Sequence, residues 1–171
     1  IQAEISVIDP AHDTAQALFS TLSVGLRYYH SVAELPAGYC ADIAILAVKP
    51  QIMDNVLPQV AAIGDSATGW ISIAAGISTT GLGQHLGVDA RIMRAMPNTP
   101  AAIGRGVTAL YCTETVSADQ KERAEALLRA CGDVVHIDDE LMMDAVTAVS
   151  GSGPAYVFLL AEVMAAAGCK L

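Results

Sequence analysis

The sequence predicts an α/β protein: a doubly wound, mostly parallel sheet followed by the start of an all-helical segment. Three observations carry that expectation. Short β-branched or wholly apolar runs alternate with stretches whose apolar residues recur at helical spacing, the pattern of βα units. Two central runs, Ile43 to Val48 and Trp70 to Ala75, are apolar almost throughout, as expected of strands covered on both faces. The last stretch, Ala155 to Gly168, is apolar on every side except at Glu162, which suits a helix buried in a large core or a subunit interface.

Each element follows in order. Ile5 to Ile8 is a first strand, and Ala15, Leu18, Phe19 and Leu22 mark one face of the helix after it. Ser31-x-x-Glu34 has the form of a capping box and opens a second, short helix. Ile43 to Val48 is a buried strand. Pro50 follows at a first helical position, with Met53, Val56, Leu57 and Val60 facing inward and Pro58 expected to kink or shorten the helix. Trp70 to Ala75 is the next strand, ending at Gly76. A weak helix over Thr79 to Leu86 and strands at Arg91 to Ala95 and Val107 to Tyr111 come next. Ser117-x-x-Gln120 caps a clear helix with Ala124, Leu127, Leu128 and Cys131 on its core side. Val134 to Ile137 is the last strand. Met142, Ala145, Val146 and Val149 define a helix expected to end near Ser150-Gly151-Ser152-Gly153-Pro154.

Composition narrows the function. The 171 residues suit one ordinary domain or a domain plus part of another. Eighteen acidic against nine basic residues leave a net charge of −9 with no basic run, which argues against a nucleic-acid binder. Charged residues make up 16%, below the roughly 25% of globular domains, while 53% are hydrophobic. That balance calls for an apolar partner outside the chain. A membrane is not the expected one, because the longest apolar stretch, Ala155 to Cys169, falls short of the ~20 residues of a spanning helix and carries Glu162. Ile1 opens directly into a strand with no charged leader and no initiator Met, so a fragment or processed form is expected. Cys40, Cys112, Cys131 and Cys169 form no CxxC, and free thiols in a reducing cytosol are expected. His12, His30, His85 and His136 show no paired metal spacing, so no metal is expected.

In open α/β sheets ligands bind beyond the carboxyl ends of the strands, and four such ends hold suggestive residues. Asp9 suits a ribose hydroxyl, though a polar turn with Pro10 explains it equally well. At Ala47-Val48-Lys49-Pro50, small residues let a flat cofactor approach and Lys49 can meet a phosphate; the plainer alternative is a solvent-facing lysine before a helix. Ala74-Ala75-Gly76 leaves room for a nicotinamide ring or for close helix packing. In Met96-Pro97-Asn98-Thr99-Pro100 two prolines stiffen an Asn-Thr pair over the strand edge. Gly104-x-Gly106 is half a dinucleotide motif on the wrong side of a strand and is discounted. The small residues of 150–154 suit an anion or, more commonly, tight packing. Glu140, in the turn Asp138-Asp139-Glu140, is a favourable charge at a helix start. Together these features point to a nucleotide-dependent enzyme.

The ordered set AVKP at 47–50, AAG at 74–76, RIMRAMPNTP at 91–100 and DAVTAVSGSGPAYVF at 144–158 resembles pyrroline-5-carboxylate reductase, and the resemblance runs the length of the chain. It implies a Rossmann-type dinucleotide-binding domain over residues 1–138 and the beginning of a helical substrate and dimerisation domain over 139–171. It also implies a cytoplasmic homodimer or larger homo-oligomer that makes proline by hydride transfer from NADPH or NADH to a cyclic imine. Val48 and Lys49, with Ala47 and Pro50, match cofactor contacts, and Ala75 matches the alanine beside the nicotinamide. Asp9 and Ser31 fall toward the adenosine end, where the acid leaves NADH and NADPH both open. Asn98 and Thr99 border the nicotinamide pocket, and Glu140 matches a glutamate near the substrate's ring nitrogen.

The resemblance further implies a Gly-rich βα unit ahead of residue 1 and most of the helical domain beyond residue 171. The chain as given is therefore expected to be inactive alone. Two rival readings remain at this stage. One is a Rossmann dehydrogenase of the hydroxy-acid or phosphogluconate type, which would place a lysine in the segment matching Asp144 to Tyr156, where none occurs. The other is a non-catalytic dinucleotide-binding protein.

Overall fold

The computed structural model describes residues 4–11, 13, 16–17 and 25–170. It divides into two compact units, residues 1–40 and 41–171.

In the first unit, β1 (Ile5–Ile8) pairs in parallel with β2 (Leu26–Tyr29), Ile5 opposite Leu26 and Ile8 opposite Tyr29. The helix face expected at Ala15, Leu18, Phe19 and Leu22 lies outside the described residues; Asp13, Gln16 and Ala17 are helical. Sequence reasoning missed β2, because Arg27 interrupts its apolar run. That arginine is exposed and pairs with Glu4 at 2.8 Å. The short helix expected after Ser31 is a single 3₁₀ turn, Val32–Glu34, which the Ser31 hydroxyl does not cap. Glu34 accepts instead from the His30 N–H at 2.9 Å. Pro36 then holds Leu35 extended, so the helix cannot continue.

The second unit is a five-stranded sheet in the order β3 (Ile43–Leu46), β4 (Gly69–Ser72), β5 (Arg91–Met96), β6 (Gly106–Cys112), β7 (Gly132–His136). β3, β4 and β5 are mutually parallel; β6 runs against β5, and β7 is parallel to β6. Strand alternation divides the side chains between two faces. On one, Ile71, Met93, Ala95 and Leu110 form a core with Val116 and with Ala124 of α3 (Ala118–Leu128). On the other lie Trp70, Ile92, Arg94 and Met96. Here α1 (Met53–Val60) and α2 (Thr79–Leu86) pack together, burying Met53, Leu57 and Leu82 completely or nearly so. The helix α1 accommodates Pro58 in its last turn and ends at Val60, passing into a 3₁₀ turn over Ala61–Ile63.

Three expectations change. β3 is not covered on both faces: Ile45, on the edge strand of this sheet, is 52% exposed. Leu127 and Cys131 do not face the core: Leu127 is exposed on α3 itself, and a 3₁₀ turn over Arg129–Cys131 takes Cys131 out of the helical spacing. The helix beginning at Met142 does not end at the SGSGP segment. α4 (Met142–Val146) passes through a π-turn over Thr147–Gly151 into α5 (Gly153–Gly168). The Ser152 N–H donates to Thr147 O at 2.8 Å, so the small residues are absorbed as a wider turn. Pro154 sits in the first turn of α5, where its missing N–H costs nothing. The run Met142–Gly168 is thus 27 residues and, by length and composition only, long and apolar enough to cross a membrane. Length alone therefore does not exclude a membrane, contrary to the sequence-based expectation. The most apolar stretch of this run is not buried at all within the chain.

Other motifs are explained by packing. The capping box forms as expected, with the Ser117 hydroxyl accepting from the Gln120 N–H and the Gln120 side chain from the Ser117 N–H. Gln120 also donates to Ala67 O at 2.7 Å, tying α3 to the loop before β4. Ser117→Ala is expected to lower stability by about 1 kcal/mol, the usual worth of an N-cap, read as a shift in denaturant midpoint at unchanged slope. Gly104 takes a left-handed conformation to end a 3₁₀ turn over Thr99–Ile103. At Gly106 a Cβ would lie 2.8 Å from Ala101 Cα. The half-motif is a turn and a close approach, not a cofactor loop.

Candidate cofactor and substrate site

Because β3, β4 and β5 are parallel, the segments that follow them leave the same edge of the sheet. Ala47 and Lys49 are exposed there, while Val48 and Pro50 are half-buried. Ala74 is buried, and Gly76 turns the chain toward α2 with a φ of 73°. Ala75 is half-buried against a cluster of Met96, Ala109 and Met143, so α4 closes over the end of β5. Asn98 is a brace: its Oδ1 accepts from the Val107 N–H at 2.9 Å and its Nδ2 donates to Ser150 Oγ at 3.4 Å. The loop after β5 is thereby tied to β6 and to the π-turn, while Thr99 remains exposed. The small residues Ala47, Ala74, Ala75 and Gly76 after β3 and β4 suit a flat ring approaching the backbone.

Glu140 comes to this same part of the sheet. Its Oε1 accepts from the Thr79 N–H at 2.7 Å and from Arg94 at 2.7 Å, and its Oε2 accepts from the Thr79 hydroxyl at 2.6 Å. The Thr79 N–H is the first free donor of α2, where the helix dipole favours an anion. The N-cap Ser78 hydroxyl takes the third one, accepting from the Gly81 N–H. Arg94, in the middle of β5, is only 5% exposed. Burial pushes the Glu140 carboxyl up, but the two Thr79 hydrogen bonds and the Arg94 hydrogen bond and charge outweigh it, leaving it below the ordinary carboxylate value. Nearby, burial raises the Tyr111 phenol, and the charges of Glu140 and Asp139 raise it further. Glu140 is therefore an ionised acceptor at neutral pH and holds no proton to donate.

The motif analysis found Glu140 but not Arg94 or Thr79. The only signal for Arg94 was a charge in the middle of the RIMRAM strand, flanked on both sides by apolar residues. In the first unit, Asp9 and Ser31 both lie just beyond the carboxyl ends of the parallel pair β1 and β2. Asp9 Oδ1 accepts from the Ala11 N–H at 2.8 Å, forming the polar turn that was the alternative reading. Among the described residues no group of His, Cys, Asp or Glu is placed to hold a metal ion, and none of the four cysteines is in a disulfide.

A mostly parallel sheet with helices on both faces, small residues after its parallel strands and a helical run after it defines a Rossmann-like α/β protein. The comparisons narrow this. A family profile for pyrroline-5-carboxylate reductase dimerisation matches residues 140–171. The pyrroline-5-carboxylate reductase of Pseudomonas aeruginosa is 42% identical over 99% of the chain and 60% of its own length. A Coxiella burnetii pyrroline-5-carboxylate reductase structure superposes with a TM-score of 0.81 at 35% identity, over 98% of this chain and 61% of that one. The Plasmodium falciparum pyrroline carboxylate reductase, solved with NADP bound, has a TM-score of 0.78 at 31% identity, over 98% of this chain and 69% of that one. This chain belongs to the pyrroline-5-carboxylate reductase family. It spans about 60% of the length of the Pseudomonas aeruginosa and Haemophilus influenzae pyrroline-5-carboxylate reductases, which it matches over 99% of its own.

Proposed function

We propose that the protein reduces 1-pyrroline-5-carboxylate to L-proline with hydride from NADPH or NADH, in the cytoplasm, as the last step of proline biosynthesis. The observation that supports it most is the likeness over 98% of the chain to an enzyme of that name solved with NADP. Residues 1–138 act as the dinucleotide-binding part and 139–171 begin the helical part. Ala47, Val48, Lys49, Pro50, Ala75, Asn98 and Thr99 line the nicotinamide side. Asp9 and Ser31 bind toward the adenosine ribose. The cofactor supplies the hydride; the chain's residues position it and the imine, so that binding energy is spent on orientation. Glu140 accepts a hydrogen bond from the protonated ring nitrogen. With Arg94 already beside it, orientation outweighs net charge in its contribution.

The exposed apolar surface of α5 is covered by a second copy of the chain, in keeping with the dimerisation profile over 140–171. Neither nucleic acid nor a membrane takes part. Two measurements test this, both on protein expressed from its complete reading frame. Mixing it with pyrroline-5-carboxylate and NADPH or NADH is expected to consume the reduced cofactor and yield proline; cofactor binding without oxidation would overturn the enzyme reading. Light scattering is expected to show a dimer or larger assembly, and a monomer would overturn the assembly.

A further inference from the structure

Among the described residues Arg94 is the only buried charged side chain. It projects from the middle of β5 on the same face as Ile92 and Met96, where another apolar residue would avoid the cost of desolvating a guanidinium. What the arginine does on that face is reach Glu140, 46 residues away in sequence. Thr79 reaches it across 61 residues, with both its N–H and its hydroxyl.

We infer that Arg94 and Thr79 are positioning residues, which clamp the Glu140 carboxylate in one orientation and leave a single acceptor direction on Oε2 for the substrate's nitrogen. This rests on the reductase reading and deepens it. A carboxylate offers about four lone-pair sites. Two on Oε1 are taken by the Thr79 N–H and Arg94, and one on Oε2 by the Thr79 hydroxyl. Donors from two different elements hold the two oxygens, so the group cannot flip. The Glu140 side chain keeps 21% exposure, so the carboxylate is not sealed off from a ligand. The same bonds seat the turn before α4 on the sheet, while Met143 packs beneath against Met96 and Ala109.

Arg94 from β5 acts on this carboxylate, which in turn raises the Tyr111 phenol on β6 together with Asp139 from its own turn and Glu114. Removing a donor to the ionised form raises the carboxyl's titration midpoint. Protonation then silences Glu140 at higher pH, and the acid limb of kcat/KM moves upward.

The test uses Thr79→Val, which keeps the backbone donor and the side-chain shape, and Arg94→Lys, which keeps the charge but not the planar fork. Thr79→Val is expected to lower kcat/KM for the imine about 10-fold, with cofactor affinity within about twofold. Its acid limb is expected to move up by about half to one pH unit. Arg94→Lys is expected to lower kcat/KM further, with a smaller move of the limb. Carbon-13 NMR of the Glu140 side-chain carboxyl follows the same midpoint without catalysis and is expected to rise in Thr79→Val. If the midpoint and the limb both stay put while stability falls, the two residues merely support the fold and the clamp is wrong. A wild-type protein that consumes no cofactor overturns the reductase reading instead, and the NMR titration still decides the clamp.

Discussion

Replacing Glu140 with glutamine is expected to impair substrate use and stability separately. The glutamine retains one carbonyl acceptor but removes the charge opposite Arg94, leaving a buried guanidinium without its counter-ion. Breaking a fully buried pair in this way costs about 3–5 kcal/mol; with Glu140 partly open to solvent the expectation is about 2–3 kcal/mol. The pH dependence has a definite sign. Burial raises the Glu140 carboxyl, but Thr79 and Arg94 more than offset this, so its folded value lies below its unfolded one. Its stabilisation is fully present above the unfolded value and is lost as pH falls through the folded one. The stability gap between wild type and Glu140→Gln, from denaturant titrations, is therefore expected to be widest at neutral pH and to close on the acid side of the carboxylate range. In kinetics, kcat/KM for the imine is expected to fall by more than cofactor affinity does. Equal losses in both would count against the assigned role.

Gly132→Ala is expected to be the most damaging single methyl in the described residues. Gly132 starts β7 with a φ of 136°, directly opposite Gly106 of β6. A Cβ there would run into the Gly106 backbone nitrogen and oxygen, and neither can swing aside as a flexible side chain would. The positive φ alone costs about 1–3 kcal/mol for a residue with a side chain. Adding the collision brings the expectation to about 3–5 kcal/mol, enough to bring a domain of ordinary stability near unfolding. Thermal or denaturant unfolding measures it directly. A loss under about 1 kcal/mol would mean that the β6–β7 pairing yields at that point.

Much of the fold was legible because its signals are local. The apolar runs at Ile43 and Trp70, the helical spacing at Met53 and Leu57, and the capping box at Ser117 each depend on residues a few positions apart. Where the reading failed, the deciding contact was not local. β2 is held by pairing with β1 rather than by its own pattern, and the π-turn holds the helix through a glycine-rich segment that otherwise signals an end. The exposed face of Ile45 reflects its place at the edge of the five-stranded sheet, which no periodicity reports.

The candidate site divides in the same way. Asn98 stood out in its proline-bracketed turn, but its bonds to Val107 and Ser150 emerge only once three segments meet. Glu140 was found through a motif, and its chemistry was then changed by its neighbours. The carboxylate that the resemblance sets near the substrate's ring nitrogen is held by Arg94 and Thr79.

By itself the sequence determined the α/β class, the order of most elements, the apolar final helix and the family, because periodicity and short motifs are properties of neighbouring residues. Only the tertiary structure decided that Arg94 and Thr79 converge on Glu140 and that α4 and α5 form one continuous helical run. The continuous run rests on the wider turn closed between Ser152 N–H and Thr147 O; the convergence rests on desolvation and on hydrogen bonds between groups 46 and 61 residues apart, and no local pattern encodes which distant donor a buried charge will find.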